Sequence, residues 1–181
     1  EIGDPGLMKA LIDKGADVNY ETWDLDQESG AYCKGFTPLT RAAIHNNVEC
    51  AKLIIEAGGK IKEGVSGYFS REARVGGFAS KEKLLTTVTG GQLYCRYKLK
   101  NKMAIYFAIE NNSMEMVQLL ATSFGWYDNH QMEMKLAMDA GGMSEMHKGA
   151  CGKAAGKFAP SKYAKSLGNT EIQKYLDSKG K

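Results

Sequence analysis

Apolar residues first recur with a helical period near the N-terminus. Leu7, Met8, Leu11 and Ile12 fall at i, i+1, i+4 and i+5, the stripe of an amphipathic helix. Gly15 stops that helix, because glycine takes the left-handed C′ conformation with least strain. The segment reads as the second helix of a helix pair whose first half is missing or worn away. Residues 20–36 break the period and read as a loop carrying Trp23, Asp24, Asp26, Glu28 and Tyr32.

The pattern is clearest over residues 37–58. Thr37 is an N-cap whose hydroxyl can take an orphan backbone N–H. Pro38 follows at the first helical position, where it has no N–H to lose. Small residues at Ala42 and Ala43 allow a second helix to approach. Asn46-Asn47 makes the turn, since Asn tolerates left-handed backbone. Glu49 opens the second helix, where its charge favours the dipole. Ala51, Leu53, Ile54 and Ile55 supply a buried face, and Gly58-Gly59 ends it.

This unit has an echo. Thr37-Pro38-Leu39-Thr40-Arg41-Ala42-Ala43-Ile44-His45-Asn46-Asn47-Val48-Glu49 returns at an offset of 66, twice 33, as Met103-Ala104-Ile105-Tyr106-Phe107-Ala108-Ile109-Glu110-Asn111-Asn112-Ser113-Met114-Glu115. A fixed period of this length is the signature of stacked helical repeats. Between the two copies the 33-residue beat continues at Glu82, Leu84, Val88 and Gly91, with Ser80 as a cap, which predicts an eroded repeat over 70–91 with a first helix at 70–77. Residues 92–100 alternate in a strand-like way and suit an extended finger.

The offset from Met103 to Ala159 is 56, which 33 does not divide. Two short repeats of roughly 29 and roughly 27 residues fit it, with a first helix near 132–140. One repeat with a loop insertion of about 23 residues is the alternative. Residues 149–157 are a loop on either reading.

The residues then carry a resemblance. Thr37-Pro38-Leu39-x-x-Ala42-Ala43, the Asn turn, Val48-Glu49 and Lys52-Leu53-Ile54 resemble the ankyrin repeat. Gly15-Ala16-Asp17-Val18-Asn19 is similar to that family's closing segment. Ala159-Pro160-Ser161-Lys162-Tyr163-Ala164 with Gly168-Asn169-Thr170-Glu171-Ile172 is similar to a terminal repeat. The implied fold is all-α: an ankyrin-repeat solenoid of helix-turn-helix units with extended β-hairpin-like finger loops. One domain would cover 1–181, with a half repeat at 3–19 and repeats near 35–61, 68–91, 101–126, 130–151 and 157–180.

Composition narrows the function. Twenty-four Lys plus Arg against 21 Asp plus Glu leave a net charge of +3, too weak to indicate nucleic acid. No apolar run reaches the ~20 residues that span a bilayer. The expected partner, implied by the repeat resemblance, is another protein, with no nucleic acid, no membrane insertion and a monomeric chain. His45, His130 and His147 are scattered and form no ligand set, and no cofactor is expected. No nucleophile elbow, phosphate loop or HExxH occurs, so no catalytic residue is assigned. The cluster Met132, Met134, Met138, Met143 and Met146 reads as the core of an imperfect repeat before it reads as a binding surface.

Partners of ankyrin-like folds meet the finger tips and the exposed side of the first helices. Aromatic and basic residues at those places form the expected partner-binding set. It comprises Trp23, Lys34, Phe36, Ile44, His45, Phe69, Phe78, Tyr97, Lys100, Lys102, Glu110 and Asn111. Phe36 and Phe69 are 33 apart and are expected at equivalent places on adjacent repeats.

Of the cysteines, Cys50 sits at an apolar helix position, and Cys33, Cys95 and Cys151 lie in or near loops. Cys95–Cys151 is the candidate disulfide if residue 151 lies in a neighbouring finger. It fails if Cys151 ends a second helix instead. Reduced cysteines imply a cytoplasmic chain, and a removed signal peptide a periplasmic or secreted one. The expected function is a non-enzymatic protein-binding module that works by occupying a partner's surface. One version inhibits a secreted hydrolase, as bacterial immunity proteins do. The alternative is the repeat region of a larger effector or scaffold.

Overall fold

The computed structural model describes residues 3–26, 31–72, 94–122, 131–136 and 156–179. These hold the helices α1 (Pro5–Asp13), α2 (Pro38–Ile44), α3 (Val48–Glu56), α4 (Ala104–Glu110), α5 (Met114–Thr122), α6 (Pro160–Leu167) and α7 (Thr170–Lys179). They also hold the strands β1 (Thr22–Asp26), β2 (Ala31–Phe36), β3 (Gly64–Glu72), β4 (Tyr94–Met103), β5 (Met132–Leu136) and β6 (Gly156–Phe158).

Local chemistry starts and stops the helices. Thr37 and Thr40 form a capping box before Pro38: each side-chain oxygen accepts the other's backbone N–H, at 3.3 and 2.8 Å. Asn47 caps α3 by accepting the Cys50 N–H at 2.9 Å. The turns between paired helices need one left-handed residue. Asn46 and Asn112 supply it with φ near 53°, and Gly168 supplies it at 81°.

The helix pairs stack. α2, α4 and α6 form one row, and α3 packs on α1 and α5, with α7 beside α5. Both rows share one core in which Leu39, Ile54, Tyr106, Ile109, Leu120 and Tyr163 are fully buried. Asparagines stitch neighbouring pairs together. Asn111 donates to the carbonyls of Ala43 and Ile44 at 2.9 and 3.0 Å. Asn169 donates to Ile109 at 2.6 Å. These carbonyls lie in the last turns of α2 and α4, beyond the regular helical N–H groups, and those of Ala43 and Ile109 also accept the turn N–H groups of Asn46 and Asn112. Since α2 packs directly on α4, the two copies of the sequence echo are neighbours in space.

The fold is not all-α. The fingers join edge to edge into one six-stranded antiparallel sheet, in the order β1-β2-β3-β4-β5-β6. Residues 20–36, read as a loop, contain the hairpin of β1 and β2. Residues 70–72 and 132–136, read as helix, are strand. The physical reason is backbone hydrogen bonding. Finger N–H and C=O groups need partners, and stacked repeats bring adjacent fingers to strand-pairing distance. Residues 73–93, expected to hold most of an eroded repeat, lie outside the described residues, as do 137–155.

One face of the sheet joins the helical core. Val65, Leu99, Met132, Met134 and Phe158 are buried on it. Alternation puts their chain neighbours on the other face, where Lys98, Lys100, Lys135 and Lys157 are exposed. Two bulges interrupt the alternation just before helices. Gly35, with φ +86°, is an extra residue in β2, and Asn101, with φ +59°, is one in β4. Gly35 and Asn101 are separated by the same offset as the two copies of the echo, so they hold the same repeat position. The freed Asn101 N–H is taken by the Ser66 hydroxyl at 3.0 Å. A bulge shifts the rest of its strand by one position. It turns Phe36 and Lys102 towards the helices.

Candidate functional site

A pair recurs at i and i+5 where a strand runs into the helix that follows it. The Arg41 guanidinium lies 4.2 Å from the centre of the Phe36 ring. One repeat on, the roles invert: the Lys102 ammonium lies 4.2 Å from the Phe107 ring. In the last pair both members are aromatic, and Phe158 meets Tyr163 edge-to-face at 5.6 Å. Each contact pins the end of a strand onto the first helix that comes after it. Each cation–π pair is worth about 0.5–1 kcal/mol.

Further bonds hold the same region. Arg41 makes two bonds of 2.8 Å to Asp24, and this contact holds the Asp24 carboxyl below its usual range. Lys102 pairs with Glu110 at 2.6 Å, and Glu110 also accepts the Tyr163 hydroxyl. The Tyr106 hydroxyl donates to the Phe158 carbonyl at 2.6 Å and accepts the Met132 N–H at 3.0 Å. Several expected contact residues are thus engaged within the molecule. Phe36 is 9% exposed, and the side chains of Lys102 and Glu110 are 15% and 27% exposed. Asn111 is bonded to α2. Ile44 is half-buried and His45 is exposed at the end of α2.

The outward face of the sheet is different. Trp23 lies opposite Lys34, and Lys34 opposite Ser66. Ser66 meets the bulge beside Lys100, Lys100 lies opposite Glu133, and Glu133 opposite Lys157. These six residues form one row across all six strands. Trp23 is 61% exposed, and Lys34, Lys100 and Lys157 are exposed. Trp23, Lys34 and Lys100 belong to the expected set; the structure brings them together on one surface. Lys157 was missed by counting residues. It stands two before the repeat-opening residue Ala159, whereas Lys34 and Lys100 stand three before Thr37 and Met103. The last strand has no bulge, so the residue count is one shorter while the place in the sheet is the same.

Phe69 is paired in register with Tyr97. Tyr32 lies opposite Tyr68, so Phe69 sits farther along its finger than Phe36 does, and the two are not at equivalent places. Phe78 lies outside the described residues. So does Cys151, which leaves the Cys95–Cys151 pairing outside them too; Cys95 is on β4 opposite Arg71. Cys33 is half-buried and Cys50 is buried, and neither is in a disulfide. Burial pushes both thiols up in pKa, and at Cys33 nearby Lys102 partly offsets the rise. A raised pKa lowers the thiolate fraction, so neither is an activated nucleophile. Among the described residues, no group of three His, Cys, Asp or Glu is placed to hold a metal ion. No helix among them is long and apolar enough to cross a membrane.

The ankyrin repeat family model matches residues 34–62. Residues 34–62 are an ankyrin repeat. The match begins at Lys34 on the outward row and runs through β2, α2 and α3. None of the curated proteins matches the chain. Ankyrin repeats are protein-interaction modules, so the class of function is protein binding.

Proposed function

We propose that the chain is a non-enzymatic module that recognises one partner protein through its fingers and masks the surface it covers. The observation that supports this most directly is the row from Trp23 to Lys157. Residues that cap, stitch and pin the repeats are engaged within the molecule, whereas this row faces solvent on a regular, hydrogen-bonded scaffold. Strands hold side chains more rigidly than loops do, so little entropy is lost when a partner docks. Trp23 offers a large apolar contact at low conformational cost. Masking needs only such a broad face, and one version of it is inhibition of a secreted hydrolase.

The test is capture of the natural partner on immobilised chain, followed by chemical cross-linking and mapping of the linked residues. Cross-links that cluster on β1, β2 and β4, with capture lost in Trp23→Ala, support the reading. A stoichiometric partner whose cross-links fall only on α3, α5 and α7 would remove the fingers as the site.

A further inference from the structure

The charges in the outward row alternate with the strands. Lys34 lies on β2, Lys100 on β4 and Lys157 on β6, with Ser66 on β3 and Glu133 on β5 between them. Neighbouring strands are about 4.8 Å apart, so lysines two strands apart are about 10 Å apart. A segment in the extended polyproline-II conformation rises about 3.1 Å per residue with three residues per turn, so every third side chain returns to the same face about 9 Å farther on. Among the described residues, none of these three lysines is in a salt bridge.

Glu133 gives the row its selectivity. Its carboxylate is bonded to Lys135 at 3.0 Å and sits in the field of Lys157 and Lys100. All three hold it ionised, with its pKa lowered. Although paired with Lys135, Glu133 puts an anion and no free cation at the β5 place of the row, so a ligand carboxylate brought there gains nothing. A polyanion such as single-stranded nucleic acid or polyglutamate brings a charge opposite Glu133 as well as opposite the lysines. A segment with carboxylates only at every third residue does not. Selectivity by a place that disfavours the wrong ligand is a general device of specific interfaces.

We infer that the outward sheet face binds an extended acidic segment of the partner protein, running across the strands, with Asp or Glu at every third residue. This rests on the protein-binding reading above and names the chemistry that the partner must present. The three carboxylates seat on Lys34, Lys100 and Lys157, and the residues between them are neutral.

The test uses the intact chain and two synthetic peptides of equal length and equal charge. In one, Glu occupies every third position with Ser and Gly between; in the other, the same Glu residues are contiguous. Binding is measured by fluorescence anisotropy. The spaced peptide is expected to bind roughly tenfold more tightly than the contiguous one. The triple variant Lys34→Glu/Lys100→Glu/Lys157→Glu should abolish that binding. A control variant, Lys14→Glu/Lys162→Glu/Lys174→Glu, has the same net charge and should keep it. Glu133→Gln should erase the preference for the spaced peptide by strengthening binding of the contiguous one. All substituted lysines are exposed, and circular dichroism checks that each variant is folded. Equal binding of the two peptides, equal loss in both triple variants, or tighter binding of single-stranded DNA each overturns the inference. So does concentration-dependent self-association in sedimentation that the spaced peptide fails to compete. If the captured partner binds the lysine triple variant as well as the parent chain, the inference fails while the protein-binding reading stands. If no partner is captured but the spaced peptide binds with the stated selectivity, the reverse holds.

Discussion

Arg41 lies over the ring of Phe36 at 4.2 Å, and its guanidinium also makes the two bonds to Asp24. One side chain therefore ties α2 to both strands of the first finger. Arg41→Ala is expected to cost about 1 kcal/mol, since the ion pair is largely exposed and the cation–π contact is modest. The Asp24 carboxyl is depressed below its usual 3.8, first by the Arg41 hydrogen bond, which outweighs the opposing effect of burial, with a smaller contribution from the Arg41 charge. A depressed pKa stabilises the fold fully above the unfolded value and loses that contribution as pH falls through the folded one. Urea unfolding at neutral and acid pH should show a shallower acid-side loss in Arg41→Ala than in the parent chain. An unchanged pH profile would mean that the Asp24 contact adds nothing in solution.

Tyr106 ties α4 to β5 and β6 with one buried hydroxyl. Tyr106→Phe strands a carbonyl and an N–H, and a loss of about 2 kcal/mol is expected. Amide exchange at Met132 should speed up more than at Leu99, whose strand does not depend on this hydroxyl. Burial pushes the Tyr106 pKa far up, against the Met132 hydrogen bond, which lowers it. The unfolded chain ionises near its usual 10 while the folded chain stays neutral, so stability falls as pH rises above about 10. Tyr106→Phe should remove that part of the alkaline loss. Equal alkaline slopes in the two proteins would contradict the burial of the hydroxyl.

Gly35 and Asn101 hold the same bulge position with different residues. A Cβ at Gly35 would sit 3.0 Å from the Gly64 carbonyl oxygen, at a φ of +86°. Gly35→Ala should therefore destabilise by about 1–2 kcal/mol. Asn101→Gly keeps the left-handed backbone available and should fall within about 0.5 kcal/mol of the parent chain. Thermal unfolding of the two variants side by side checks the contrast. Equal costs would mean that the bulges are not equivalent.

Asn111 reaches from the start of the Asn111-Asn112 turn to the last carbonyls of α2. Asn111→Ala should cost about 1 kcal/mol. It should also loosen the coupling between the two helix pairs, since stacked repeats are held by nearest-neighbour interfaces. The expected sign is a lower urea m-value. Loss of stability with an unchanged m-value would show that the stitch adds stability without coupling.

The helices of this chain were readable because what makes them is local. Thr37, Pro38, Asn46 and Asn47 act on backbone groups within one turn, and the structure places the Thr37 cap and the Asn46-Asn47 turn where the residues alone put them, while the expected Ser80 cap lies outside the described residues. The finger strands were less visible. Thr22-Trp23-Asp24-Leu25-Asp26 alternates apolar with polar, which is a strand signal, but so short a run beside many polar neighbours looks like a loop. β3 was hidden by the 33-residue beat itself. Counting forward from the first repeat predicted helix from residue 70, where the chain instead continues a strand paired to β4.

The sequence by itself determined that Lys34 and Lys100 stand at one offset before the two copies of the echo, and that the first copy lies in a match to the ankyrin repeat. Only the tertiary structure decided that Lys157 joins them, that Trp23 ends the same row, and that Lys102 turns towards the helices to pair with Glu110. The reason is register. A helix is closed by bonds four residues apart, so its residue count is its geometry. A strand takes its place from a partner far along the chain, and one bulged residue at Gly35 or Asn101 sends every later side chain to the opposite face.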